Sequence, residues 1–303
     1  MDAERTRTWR PPWPVNVAAT LTVLKRGNDP THRVERDGTV WRTARTPDGP
    51  GTIRIASRSG TVEGTAWGSG ADWLLAALPA WLGDEDDPET FVPHHPLLER
   101  AVKLHRGLRI GRTGLVMEAL VPAILEQKVT GLEAKRTWQR LLRNHGEPAP
   151  GPAPDGMRVL PTAETLRFIP SWEWHRLGVG PDRSKAIVQV SRVASRMAEA
   201  ATMSADDATR RLQTVPGVGP WTAAETIQRA LGDPDAVSIG DHGIPSMVAW
   251  ALAGERTADD DRMLELLEPY RGQRYRACLL IERTSGKPPR HGPRMPARDF
   301  RRI

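Results

Sequence analysis

The sequence predicts an α+β protein: an N-terminal antiparallel sheet domain at residues 1–92, a mostly helical domain at residues 93–285, and a basic tail at residues 286–303. Three observations carry this reading. Short alternating runs fill residues 17–67, helical apolar spacing takes over from about Leu97, and an acidic, proline-containing stretch from Gly83 to Pro96 separates the two. The 303 residues suffice for about two domains, and 39% hydrophobic with 26% charged residues is the balance of a globular chain.

In chain order, Thr20–Leu24, Val40–Ala44, Thr52–Ala56 and Thr61–Thr65 read as strands of a half-buried sheet, divided by Gly, Asp, Asn and Pro. Asp72–Leu82 reads as a helix. Six of the eleven tryptophans precede Gly83, and a core position is the expectation for each. In the second domain, Ala186, Val190, Val193, Ala194 and Met197 mark one face of a helix with Asp182 as its N-cap. Four prolines and three glycines between Gly146 and Gly156 predict a surface loop that is neither helix nor strand. No internal repeat is read.

The formal charge of +6 resides entirely in residues 283–303, where seven Lys or Arg face Asp299 alone; the remaining residues balance to zero. A nucleic-acid surface in the body of the protein must therefore come from local clustering, and the tail is either a polyanion contact or a solvated segment. The single cysteine, Cys278, excludes an internal disulfide, a CxxC zinc site and a cysteine-ligated cluster. No apolar stretch approaches the ~18–20 residues of a bilayer span, and Met1-Asp2-Ala3-Glu4-Arg5 has no apolar core behind it, so the expected location is cytoplasmic, with no membrane partner.

The chemistry concentrates in two segments. Leu212–Glu225 places Pro216-Gly217-Val218-Gly219 between two helices, a tight hairpin whose glycines let the backbone turn and let a partner approach. Amides at the N-terminus of the second helix suit a phosphate oxygen; the bland alternative is an ordinary helix-to-helix turn. Asp241 follows within Ser238-Ile239-Gly240-Asp241-His242-Gly243-Ile244-Pro245, where it caps the next helix with Pro245 in the first turn. Capping is compatible with catalysis, because a helix N-terminus favours negative charge at Asp241 that is then available to stabilise a cation.

With these residues in view, the chain resembles the helix-hairpin-helix DNA glycosylases, of the bacterial 3-methyladenine DNA glycosylase II (AlkA) type. The hairpin and Asp241 carry the resemblance, Ala123–Thr130 resembles an early helix segment of the family, and the N-terminal sheet agrees in architecture. The resemblance implies a base-excision-repair enzyme that removes an alkylated purine from duplex DNA. By this resemblance the hairpin residues Gly217, Val218, Gly219 and Thr222 grip the backbone, and the target nucleotide is flipped into a cleft between the two subdomains of the helical domain. Asp241 then stabilises an oxocarbenium-like transition state.

Bifunctional members carry a Schiff-base lysine two residues after the second glycine of the hairpin; here that residue is Trp221, which implies a monofunctional enzyme with water as nucleophile. Trp221, Glu225 and His242 stand at pocket positions, with Ile281 a further candidate; Trp221 could instead pack beneath the hairpin, and Glu225 could be an exposed helix residue. Gln127 and Lys128 stand at the DNA-facing tip, Lys128 where the family has an apolar wedge. A lysine there could be a plug, a phosphate contact or a solvated helix residue. The expected partner is double-stranded DNA with a damaged base, bound by a monomer, and no metal or redox cofactor is implied beyond a possible monovalent cation on hairpin carbonyls. The alternative is a non-enzymatic, structure-specific DNA-binding protein that retains the hairpin.

Overall fold

The computed structural model describes residues 3–285. The basic tail at 286–303 lies outside the described residues, as do the first two positions. Five antiparallel strands form one sheet in the order β1-β5-β4-β3-β2: β1 Arg5–Trp9, β2 His32–Val34, β3 Val40–Thr46, β4 Gly49–Arg58 and β5 Thr61–Trp67. Helices α1 (Val17–Leu21) and α2 (Ala71–Trp81) pack with this sheet. Val40, Ile53, Ile55 and Val62 meet Leu21, Leu74, Leu78 and Trp81 in one buried cluster. The remainder is helical: α3 Pro96–Leu104, α4 Val116–Glu126, α5 Gly131–His145, α6 Ala163–Phe168, α7 Ser171–Leu177, α8 Pro181–Arg192, α9 Ala194–Ala198, α10 Ala205–Gln213, α11 Pro220–Ala230, α12 Ile244–Ala253, α13 Asp260–Leu267 and α14 Arg274–Thr284.

Two clusters divide the helices. Helices α4 to α11 surround a core that includes Leu120, Ile124, Trp138, Ile187 and Leu212. The other core joins Leu98 and Ala101 of α3 to Val248, Met263 and Leu279–Ile281 of α12, α13 and α14. The segment containing Asp241 crosses from the first group to the second.

Four features differ from the sequence reading. Thr20–Leu24 is not a strand: α1 starts behind Asn16, whose Oδ1 accepts the Ala19 N–H at 3.0 Å, and a 3₁₀ turn covers Thr22–Leu24. Val17, Thr20, Leu21 and Leu24 are buried at helical spacing, and the β-branched run concealed that period. The edge strands β1 and β2 were missed; β1 is mostly exposed and lacks apolar alternation. The proline-rich loop contributes Glu147–Pro148 to a two-residue ladder with Arg158–Val159, the short strands β6 and β7. A proline is tolerated at such an edge because nothing there needs its N–H. Finally, Gly180 rather than Asp182 is the N-cap of α8, since Pro181 occupies the first helical position, and the periodic run breaks at Val193 into α8 and α9.

Of the six early tryptophans, Trp41, Trp67 and Trp81 are buried, and the other three are half-buried. His32 is buried in β2 with both ring nitrogens lacking a hydrogen-bond partner among the described residues, directly across the ladder from Arg42. Burial first, and the Arg42 charge second, push its pKa down to about 3. The folded state therefore holds His32 neutral while the unfolded chain binds a proton below about pH 6.5. Stability should be intact above pH 6.5 and fall towards pH 3 by up to about 1.4 kcal/mol per pH unit from this group. Denaturant titrations of wild type and His32→Leu between pH 7 and pH 4.5 should show a flatter acid limb in the variant; parallel curves would remove the effect.

Candidate functional site

The hairpin is built as its residue types require. The Val218 N–H donates to the Val215 carbonyl at 3.0 Å around Pro216 and Gly217. Gly217 has φ +91°, so the corner has the residue set of a type II turn. A Cβ on Gly217 would lie 2.8 Å from the Ala186 Cβ of α8, so both backbone and space demand glycine. Gly219, the N-cap of α11, is different: its φ of −91° suits any residue, and a Cβ there would meet nothing within 4 Å. Only something arriving from outside profits from the missing side chain. Gly217→Ala should therefore destabilise the protein by roughly 1–2 kcal/mol or more, whereas Gly219→Ala should cost under about 1 kcal/mol and weaken DNA binding. Thermal melts paired with binding titrations separate the two; equal affinity of Gly219→Ala and wild type would close this surface as a backbone contact.

The tetrapeptide Gly217-Val218-Gly219-Pro220 recurs as Gly178-Val179-Gly180-Pro181, which corrects the reading that the chain holds no internal repeat. Gly178 has φ +88°, Val179 and Val218 are both buried, and Gly180 and Gly219 both cap helices that begin with proline. The Arg183 guanidinium ties this second corner to α4, donating to the carbonyls of Leu125 at 2.8 Å and Gly178 at 3.1 Å.

Among the expected DNA contacts, Gly217 is exposed and Gly219 half-buried, and among the described residues neither N–H has a partner. Two others need correction. Val218 points into the core and spends its N–H inside the turn. Thr222 is only 2% exposed, because this face of α11 packs on α4, and its hydroxyl accepts from Gln127. Gln127 itself is engaged within the protein: its Nε2 donates to the Gly217 carbonyl at 2.8 Å and to Thr222 Oγ1 at 2.7 Å, fastening the α4–α5 connection to the hairpin. That carbonyl was one of those expected to face a monovalent cation. Lys128, next to it, is exposed in left-handed backbone at φ +52° and lies between the helices rather than in one, so the helix-residue alternative lapses.

Asp241 is held from three directions. Its Oδ1 accepts the N–H groups of Gly243 at 2.7 Å and Ile244 at 3.0 Å, so Asp241 satisfies amides at the start of α12 from two residues before Gly243, which is the N-cap residue itself. Its Oδ2 accepts the Trp221 indole Nε1–H at 3.1 Å, which joins the hairpin helix to the carboxylate. Both groups are half-buried, and Oδ2, with a single donor, keeps capacity for a further partner. His242 is exposed beside them.

Glu225 lies one turn after Trp221 and is buried, not exposed. Arg229 Nη1 donates to its Oε2 at 2.8 Å and Ser238 Oγ to its Oε1 at 2.5 Å. Burial pulls the Arg229 pKa down, and the charges of Glu225, Tyr275 and Glu126 outweigh that and raise it overall. Ser238 also accepts from Gln228 Nε2 at 2.9 Å. Sequence reasoning missed Arg229 and Ser238; the i, i+4 spacing of Glu225 and Arg229 on one helix was the available signal. Ile281 is fully buried in the core beneath α12, which corrects its expected place in a pocket.

No protein-family model matches the chain. In sequence it is 31% identical over 219 residues to the "Probable bifunctional transcriptional activator/DNA repair enzyme AlkA" of Mycobacterium tuberculosis, a match covering 69% of this chain and 43% of the relative. The chain thus spans less than half the length of that curated relative. Its fold is similar to the 3-methyladenine DNA-glycosylase of Archaeoglobus fulgidus, with a TM-score of 0.75 at 17% identity over 92% of this chain and 98% of the other. Its fold is also similar to the apo 8-oxoguanine glycosylase/lyase of Clostridium acetobutylicum, with a TM-score of 0.71 at 14% identity over 94% and 98% of the two chains. In sequence and fold the chain thus resembles DNA glycosylases, and a sheet followed by a largely helical body is the architecture these structures share with it.

Proposed function

We propose that this chain is a monofunctional DNA glycosylase that hydrolyses the N-glycosidic bond of alkylated purines, of the 3-methyladenine and 7-methylguanine type, in duplex DNA. The observation that carries the reading is Asp241: a carboxylate fixed by three N–H donors at the start of α12 and joined through Trp221 to the hairpin helix. The free amides of Gly217 and Gly219 suit a phosphate, which would hold the strand while the damaged nucleotide turns out of the stack. As the bond from the sugar to the purine nitrogen breaks, its electrons neutralise the positive charge of the alkylated base and the sugar becomes cation-like. The carboxylate of Asp241 stabilises that charge and orients the water that attacks the sugar, whose proton passes to the carboxylate or solvent. Trp221 has no amine and forms no imine, so the product is an intact abasic site. The same reading takes residues 1–92 as a sheet unit and 93–285 as the catalytic unit, acting as a monomer.

The test incubates the protein with duplexes carrying 3-methyladenine, 7-methylguanine or hypoxanthine, assays free base, and adds borohydride in parallel. Release of alkylated base with no nick and no trapped adduct is expected. A trapped adduct would make another residue a nucleophile and end the monofunctional assignment. Tight binding without release of any base would leave the non-enzymatic DNA-binding protein.

A further inference from the structure

We infer that the exposed face of α5 is a second contact for the DNA backbone, beside the Lys128 tip and separate from the hairpin; the inference rests on the DNA-binding part of the proposed function. On α5, Leu132, Lys135, Arg136, Gln139 and Arg143 fall on one side of the helix, away from the buried Ala134, Thr137, Trp138 and Leu141. Lys135, Arg136 and Arg143 are exposed, and among the described residues none has a carboxylate partner. This sets α5 apart from α10 and α13, where Arg210, Arg211 and Arg262 all pair with acids. The one acid of α5, Glu133, is turned back into the capping box with Thr130. The Lys135 stem lies close over Gly27, so its ammonium is carried on a supported arm.

Position and spacing fit a polyanion. The stripe starts at Leu132, four residues after Lys128, whose neighbour Gln127 is fastened to the hairpin, so it continues the surface that would face DNA. From Lys135 to Arg143 the helix rises roughly 12 Å, the axial rise of about three to four nucleotides of one strand. With the described body of the chain close to neutral overall, three unopposed cations in one line are the local clustering that a backbone contact needs.

The experiment compares wild type with the triple variant Lys135→Gln, Arg136→Gln, Arg143→Gln. The control triple is Arg100→Gln, Lys103→Gln, Arg106→Gln, which removes equal charge from exposed positions on and just after α3. Binding to a duplex containing an abasic-site analogue is titrated from 50 to 200 mM salt. The α5 variant should lose slope by about 0.9 log unit per contact, so the salt-induced fall in affinity should shrink by roughly three-fold for each contact removed. The control should keep the wild-type slope, and circular dichroism should show both variants folded. An unchanged α5 slope, or equal changes in both triples, overturns the inference. Failure of the glycosylase reading is separately visible, because base release by wild type is assayed independently of these slopes.

Discussion

Asp241→Asn should leave duplex binding within about two-fold of wild type and lower single-turnover excision by roughly 10²-fold or more. The geometry gives this variant its discriminating power. Asparagine keeps an oxygen for the N–H groups of Gly243 and Ile244, so the start of α12 should survive. What disappears is the negative charge, and the new amide NH₂ group is turned towards the Trp221 Nε1–H, a donor against a donor. An effect confined to the chemical step is therefore expected, with the melting profile barely altered. Excision at the wild-type rate would reduce Asp241 to a helix cap and remove the mechanism.

The largest effect on stability should come from Arg229→Met, at about 3–5 kcal/mol. Arg229 fills several roles: it donates to the Glu225 carboxylate, to the Glu225 carbonyl at 2.8 Å and to the Val23 carbonyl at 3.2 Å, linking α11 to the N-terminal segment. Removing the guanidinium leaves Glu225 buried with Ser238 as its remaining hydrogen-bond partner among the described residues. Pairing the change with Glu225→Leu should recover much of the loss, since two apolar groups do not need each other's charge. Denaturant titration of the single and double variants measures this. A double variant no more stable than the single one would assign the loss to the Val23 link.

How far the sequence revealed the site follows from how local each feature is. The hairpin, the cap at Asp241 and three central strands are set by residues within a few positions of one another, and all were readable. The partners of Gln127 within the protein were not legible, because its hydrogen bonds reach 90 and 95 residues along the chain. Thr222 and Val218 were read by motif position, which does not report which face of α11 packs on α4. Glu225 shows the converse: spacing offered Arg229, but only the fold shows that the pair is largely buried. The repeated glycine-valine-glycine-proline corner needed no structure at all and was overlooked because the helices around it share little else. The strand misread at Thr20–Leu24 reflects how weakly β-branched residues specify structure when their neighbours are buried on a helical period.

The core that joins α3 to α12, α13 and α14 also dictates when the site can exist. Leu98 finds its partners Leu279–Ile281 only after some 180 further residues have been made, a long loop to close and a slow kind of contact to form. During synthesis the sheet and the first helical group can therefore settle while α3 waits with its apolar side open. The crossing segment that holds Asp241 becomes anchored at its far end only when α14 leaves the ribosome and docks. Nascent chains halted before α14 would carry a formed hairpin and a carboxylate not yet fixed in place, so under the proposed function the grip on DNA matures earlier than the chemistry.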